Sequence, residues 1–381
     1  MASSFYPHIG GVEELVRQLA REQVRRGLRP IIATMRWPKS LPASEVMHDV
    51  PVERYVFRLA EQSLKSRATA MLTQRSTANA MTRRLRSHGA SLVHVQCVSS
   101  NAWFGRAAAR SLGVPLVVTL QGELTMDASN VYQRSRSLPS LLRELLREAD
   151  AVTACSSNTL DEAERFAATD LGDRGSVILN GISVADFSDG TPARRARPYV
   201  LGVGRLVPQK GFDLLLRSFA IAADRIPHDL VIAGSGVEGE RLEALARELG
   251  IAHRVELVGA IGRPDIPRLF ADASCFVLPS RHEPMGIVLA EAMAARTPVA
   301  AFAVGGVPEL LLDGTCGLLA SRDDVQGLAK AIVALACDKT LAASFIDAGY
   351  ARAQQLDWSS VAARYHDVYL AASKRARGRA R

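Results

Sequence analysis

The chain has 381 residues and a formal net charge of +8, and its 48% hydrophobic content is that of a globular protein with a sizeable core. That length holds two domains of ordinary size, and no apolar run approaches the roughly 18 residues of a membrane span. Five scattered cysteines, Cys97, Cys155, Cys275, Cys316 and Cys337, form no CxxC pair, which argues against a disulfide framework or a structural zinc site, and with no leader pattern at the start the expected compartment is the cytoplasm.

In chain order, GVEELVRQLAREQVRRGLRP reads as an amphipathic helix and PIIAT as the strand after it. A doubly wound domain should begin with a strand before such a helix. Only MASSF precedes the turn YPHIGG, so that strand is expected to be very short or absent. Residues 60–88 read as a long basic helix. SLVHVQCV, PLVVTLQG and AVTACS read as strands, separated by the helices FGRAAARSLGV and SLLRELLREAD. The charged, turn-rich stretch SDGTPARRARP, residues 188–198, is the candidate linker.

From Tyr199 the alternation is regular. YVLGVGRL, DLVIAGSG, RVELVGAI, CFVLPS and PVAAFAVGG read as buried strands, each followed by a helical pattern. Apolar runs alternating with helices mean βαβ units on a parallel sheet. The expected fold is α/β: two doubly wound, Rossmann-like domains facing across a cleft, with ligands outside the carboxyl ends of the strands. The expected boundaries are residues 1–190, 191–355, and a C-terminal helix over 356–381 with a basic tail, packing back toward the N-terminal domain.

Charge is uneven. Residues 51–110 carry ten Lys and Arg against two acids, and KRARGRAR closes the chain. Basic patches point to an anionic partner, such as a phosphorylated substrate or a membrane surface. They are equally expected as solvated helix faces and a frayed tail. No aromatic stacking platform accompanies them, which disfavours nucleic acid.

Two motifs carry chemistry. GRLVPQKG, residues 204–211, leaves a strand and opens a helix, so Arg205 and Lys210 stand where a phosphate ligand would lie. In RHEPMGIVLAEA, Pro284 suits a first helical turn and Gly286 permits close backbone approach. The amides of Met285, Gly286 and Ile287 then form an anion site, and Glu283 just outside it could accept from sugar hydroxyls. Glu291 lies within an otherwise apolar helix, so it is either exposed or buried with a partner, and a ribose diol would be one. His94 sits within an apolar strand and reads as a packed residue, His8 lies in the glycine loop, and His282 flanks Glu283. None has metal-ligand spacing.

GRLVPQKG, EPMGIVLAEA and GGVPELLLDGTCGLLA, with FYPHIGGVEELVRQLA, TLQG, ACS and VILNGI upstream, resemble the retaining nucleotide-sugar glycosyltransferases of family four, which have the GT-B fold. The resemblance runs along nearly the whole chain in the right order. It implies a metal-independent transferase moving a sugar from a nucleoside-diphosphate sugar, UDP- or GDP-linked, to a glycan or lipid-linked acceptor, without a further cofactor. Arg205 and Lys210 would neutralise the departing diphosphate, with help from Gly286 and from close backbone approach at Gly10 and Gly11. Glu283 would hold the donor sugar, Glu291 the ribose, and the strand end from Val258 to Ile261 would lie near the base. The resemblance also implies work at the inner membrane surface, where a basic domain suits anionic lipid.

Three positions depart from that pattern: Gln121 replaces the usual His in TLQG, Met285 the usual Phe, and Ser183 the usual Asp after the N-G-I turn. A non-catalytic sugar-nucleotide-binding protein and another GT-B enzyme, such as a nucleotide-sugar epimerase, are alternatives. GSGVEG, residues 234–239, with Glu256 about 20 residues on, also satisfies a dinucleotide fingerprint. An NAD-dependent oxidoreductase is thus a remote alternative.

Overall fold

The structure, a computed structural model, describes residues 1–8, 10–57, 64–124, 132, 135, 137–188 and 195–379, the side chains of 64–72 excepted. The chain divides into two compact units: Met1–Leu179 with Trp358–Arg381, and Asn180–Asp357.

In the first unit, β1 (Ile32–Met35) pairs in parallel with β3 (Val50–Tyr55), and β2 (Ser44–Met47) pairs antiparallel with β3. A second, parallel set runs in the order β4 (Val93–Gln96), β5 (Leu116–Leu120), β6 (Ala151–Ala154) and β7 (Gly175–Val177). The strand expected ahead of the first helix is a stub. The Ala2 amide donates to Ala33 O on β1, the Gln96 amide donates to Met1 O, and the Met1 nitrogen donates to His94 O on β4. Two residues thus bridge the sets without forming a strand of their own.

The helix Gly11–Arg25 follows, with Leu15, Val16, Leu19 and Ala20 buried and Glu13 and Glu14 in its first turn. The apolar stripe fixes which face turns inward, and acids at the N-terminus complement the helix dipole. Trp358, Val361, Ala362 and Tyr365 of the C-terminal helix Trp358–Arg379 share a core with Leu15, Leu19 and Val52. The basic end of that helix is docked rather than frayed. Arg364 donates to Val177 O at 2.6 Å, Arg375 to Asp150 O at 3.2 Å, and Arg379 to Glu148 O at 3.2 Å and to the Asp150 carboxylate.

The basic window of 51–110 is also less bare than its count suggests. Arg54 is buried against Glu45, Arg84 pairs with Glu53, and Arg106 and Arg110 reach Glu148 on the helix Leu138–Glu148. Arg58 and the side chains of Lys65 and Arg67 lie outside the described residues. Arg75, Arg83 and Arg86 are exposed.

The second unit holds one parallel sheet of six strands in the order β10 (Val255–Gly259), β9 (Asp229–Ala233), β8 (Tyr199–Val203), β11 (Cys275–Leu278), β12 (Val299–Phe302) and β13 (Leu318–Ala320). β11 and β12 are buried along their whole length, as expected of strands covered on both faces. The unit begins at Asn180, ahead of the charged stretch 188–198, of which 189–194 lie outside the described residues. The short helix Ala185–Ser188 already belongs to it, with the Phe187 and Phe270 rings 6.1 Å apart. Strand order reverses between β8 and β11. In an open α/β sheet that reversal marks where a ligand binds, outside the carboxyl ends.

Candidate active site

The two loops leaving β8 and β11 at the reversal carry the motifs singled out in the sequence. After β8 the chain turns through Gly204–Leu206 with Leu206 buried and Arg205 exposed. This turn lies flat against the glycine-rich turn after β9. The Gly204 amide donates to Ala233 O, the Leu206 amide to Ser235 O, and the Glu238 amide to Leu206 O. A Cβ on Gly234 would stand 1.8 Å from Gly204 O, and one on Gly236 would stand 2.2 Å from Leu206 O. The glycines of GSGVEG are therefore used for contact between two chain segments, not for cradling a pyrophosphate. Glu256 pairs with Arg195. The dinucleotide fingerprint thus loses its structural context.

The turn Pro208–Lys210 and Gly211 then bring the chain back to the β11 loop. Gly211 has φ +66°, and a Cβ there would stand 2.1 Å from Pro279 O. Lys210 Nζ lies 2.6 Å from Glu283 Oε2, and Ser280 Oγ donates to the same oxygen at 3.1 Å. Glu283 is buried, so its carboxylate needs these partners. Its backbone is held as tightly. The Gly306 amide donates to Glu283 O at 3.1 Å, and at Gly305, with φ +54°, a Cβ would stand 2.0 Å from that oxygen.

Gly286, at φ +89°, caps the helix Ile287–Ala294. Among the described residues, none accepts from the amides of Met285, Gly286 and Ile287, as the first turn of a helix leaves them. The Met285 side chain points away from this turn: it is buried, and its sulfur accepts from the Asn180 amide at 3.0 Å. Glu291 is mostly buried, with Arg263 Nη1 3.8 Å from its Oε1. Arg263 comes from the short turn after β10 and was not singled out from the sequence. Val258 and Ile261, near the carboxyl end of that edge strand, are half-buried.

The remaining expected residues lie in the first unit. Gly10 caps the helix Gly11–Arg25 in an extended conformation. The space above it is filled: a Cβ would stand 2.5 Å from Glu13 Oε2. Glu13 is buried, accepts from Ser4 Oγ and has His8 Nε2 3.8 Å away. Gly11, by contrast, faces open space. Gln121 follows β5, and its amide donates to Glu123 Oε2 at 2.8 Å, while Glu123 Oε1 accepts from the Val98 amide at 2.7 Å. Glu123 thereby ties the turn after β4 to the turn after β5. Burial raises its carboxyl above the usual range despite those hydrogen bonds. His94 is the packed residue its strand position implies. Its ring lies between Tyr369 Oη at 2.9 Å and Thr119 Oγ1 at 2.6 Å.

The site within the second unit is therefore an exposed cation, a half-buried lysine paired with a buried carboxylate, an open helix N-terminus and a second carboxylate further along that helix. Cations and amides of that kind receive an anion, and carboxylates accept from hydroxyls.

Comparison with known proteins agrees with that chemistry. Residues 9–186 match the family described as Glycosyltransferase Family 4, and residues 185–352 match that described as Glycosyl transferases group 1. A D-inositol 3-phosphate glycosyltransferase of Acidothermus cellulolyticus is 30% identical, the alignment covering 94% of this chain and 85% of the relative. A GDP-mannose-dependent alpha-(1-6)-phosphatidylinositol monomannoside mannosyltransferase of Mycolicibacterium smegmatis is 29% identical over 80% of each chain. A solved sucrose-phosphate synthase from Thermosynechococcus elongatus matches with a TM-score of 0.78 at 26% identity, over 97% of this chain and 94% of its own.

Proposed function

Since the chain belongs to glycosyltransferase family 4, with GT-B architecture, we propose that it moves a sugar from a nucleoside-diphosphate sugar to an acceptor hydroxyl with retention of anomeric configuration. The observation that carries this reading is the Lys210–Glu283 pair at the strand-order reversal, beside the open amides at Gly286.

The donor diphosphate takes Arg205, Lys210 and those amides. Glu291 accepts from the ribose hydroxyls, Glu283 from the donor sugar, and Val258 and Ile261 border the base. In the transfer step the bond from the anomeric carbon to the β-phosphate oxygen breaks. The acceptor oxygen bonds to the same face of that carbon, and its proton goes to the departing phosphate oxygen. Negative charge grows on the diphosphate as this happens, and fixed cations in a partly dry site stabilise it. We assign to Arg205 and Lys210 the neutralisation that a divalent metal provides in other transferases. The donor is GDP- or UDP-linked, and the GDP-mannose dependence of the mycobacterial relative supports the first of these.

Among the described residues no helix is long and apolar enough to cross a membrane. We place the protein at the cytoplasmic membrane surface through Arg75, Arg83 and Arg86, a contact in keeping with the phosphatidylinositol-based name of that relative. Incubation with GDP-mannose or UDP-glucose and a membrane extract tests the reading. It requires a new glycoside with the donor's anomeric configuration. A free epimerised nucleotide sugar or a sugar phosphate would replace it by another GT-B reaction. Donor binding without turnover would leave a binding protein.

A further inference from the structure

Lys210 and Glu283 come from different loops, Lys210 at the end of the 3-10 turn Pro208–Lys210 and Glu283 outside any helix or strand. Something must fix their separation. The helix Phe212–Ala223 carries Asp213 in its first turn, and the β11 loop carries Arg281 two residues before Glu283. Arg281 Nη1 and Nη2 donate to the two Asp213 oxygens at 2.8 Å and 2.7 Å. Nη1 also donates to Pro208 O at 2.9 Å, and the Arg281 amide donates to Gln209 O at 2.9 Å. A third loop joins through Asp323, whose Oδ1 is 3.7 Å from Arg281 Nε. One guanidinium therefore binds the backbone on the N-terminal side of Lys210 and the first carboxylate on its C-terminal side.

A planar fork matched to a carboxylate resists rotation in a way that a lysine's point charge does not. The Asp213 carboxyl stays below its ordinary range: burial works to raise it, but the hydrogen bonds and charge of Arg281 outweigh burial. The pair is thus ionised through the neutral range, with Asp213 three residues after Lys210 and Arg281 two residues before Glu283.

We propose that Arg281, through its bidentate bond to Asp213, is the positioning residue that sets the Lys210–Glu283 geometry and with it the affinity of the site for a diphosphate. The proposal rests on the donor reading above. It acts through Lys210, so its effect must vanish when Lys210 is absent.

Isothermal titration of UDP and GDP, with uridine and guanosine as the matched ligands lacking phosphate, tests it in the full chain. Arg281→Gln is expected to weaken the nucleoside diphosphate about tenfold, the scale of one charge-assisted hydrogen bond, and to leave the nucleoside unchanged. In a Lys210→Ala background the same substitution should change diphosphate affinity less than about twofold, since a shared pathway is not additive. The double exchange Asp213→Arg with Arg281→Asp should recover part of the loss. Equal losses in both backgrounds, or equal losses for nucleoside and diphosphate, would overturn the proposal. Arg281→Lys, which keeps the charge and the apolar stem, serves in the same cycle if Arg281→Gln does not fold. A crystal structure of the variant without ligand gives a reading independent of nucleotide. Lys210 Nζ displaced from Glu283 supports the proposal, and a pair still at 2.6 Å overturns it. Failure of the unsubstituted chain to bind either nucleotide would instead overturn the donor reading.

Discussion

Gly305→Ala is a one-carbon perturbation aimed at the backbone of the site. The added Cβ would stand 2.0 Å from Glu283 O, where ordinary contact begins at 3.4 Å. The Glu283 carbonyl must therefore retreat by about 1.4 Å, on the scale of overpacking that costs about 1–3 kcal/mol. That movement breaks the hydrogen bond from the Gly306 amide, worth about 1 kcal/mol net. The left-handed backbone adds about 1–2 kcal/mol for any residue with a Cβ. Gly250→Ala is the matched control, since Gly250 has φ +72° and nothing within 4 Å of its Cβ position. It carries the backbone cost alone. Gly305→Ala is expected to be less stable than Gly250→Ala by about 2–4 kcal/mol, seen as a melting temperature lower by about 5–15 °C for a unit of this size. A roughly hundredfold loss of transfer activity should accompany it, because Glu283 is displaced by more than an ångström. Calorimetric unfolding and initial rates measure both. Two variants melting within about 2 °C of each other, with equal rates, would refute the claim that Gly305 is required by the Glu283 carbonyl.

The pH profile of stability should carry the signature of His94. Burial depresses its pKa from 6.5 to about 3, so the unfolded chain takes up a proton that the folded chain refuses. Stability is full above about pH 6.5 and falls as pH drops toward 3. At about 1.4 kcal/mol per unit, the loss by pH 4 is on the order of 3 kcal/mol. His94→Asn should flatten that slope in urea titrations, and an unchanged slope would contradict the assignment. Trp358→Ala should cost the first unit about 3–5 kcal/mol, as for a large buried aromatic, since Trp358 is buried with Leu15 and Tyr365. A denaturant midpoint that does not move would show that the C-terminal helix contributes no core. Replacing Arg75, Arg83 and Arg86 with Ala should weaken sedimentation with phosphatidylserine vesicles on the order of a hundredfold, at about 1 kcal/mol per cation. Binding that is insensitive to salt and to these changes would remove the membrane contact.

The second unit was readable because its strands are apolar runs bounded by Gly and Pro, and because Arg205, Lys210 and Glu283 stand in the loops that leave them, with Glu291 two helical turns further on. Position along the chain fixes such residues relative to a sheet edge. The partners Asp213, Arg263 and Gly305 escaped notice because each acts from a segment far apart in sequence, and Ser280, three residues from Glu283, because only the fold of its loop turns its hydroxyl onto that carboxylate. Met285 shows the same limit from the other side: its place in the motif implied the turn, but its side chain is spent on the Asn180 amide. Counting charge by window overstated the basic patch, since Arg106 and Arg110 find Glu148 on another helix. The stub at Met1–Ala2 could not be seen as part of a sheet, because two residues carry no periodicity and only the hydrogen bonds to Ala33, His94 and Gln96 reveal it.

On the proposed function, the carboxyl edge of the second unit binds a nucleoside diphosphate through Lys210 and Glu291. Thermal unfolding with UDP, GDP, ADP and NADH, on the unsubstituted chain and on Lys210→Ala and Glu291→Ala, tests it most directly. A ligand at 100 times its dissociation constant adds about 2.7 kcal/mol of stability. A clear shift with UDP or GDP is expected, none with NADH, and a smaller shift in both variants. Stabilisation by NADH alone, or a nucleotide shift that both substitutions leave undiminished, would contradict it.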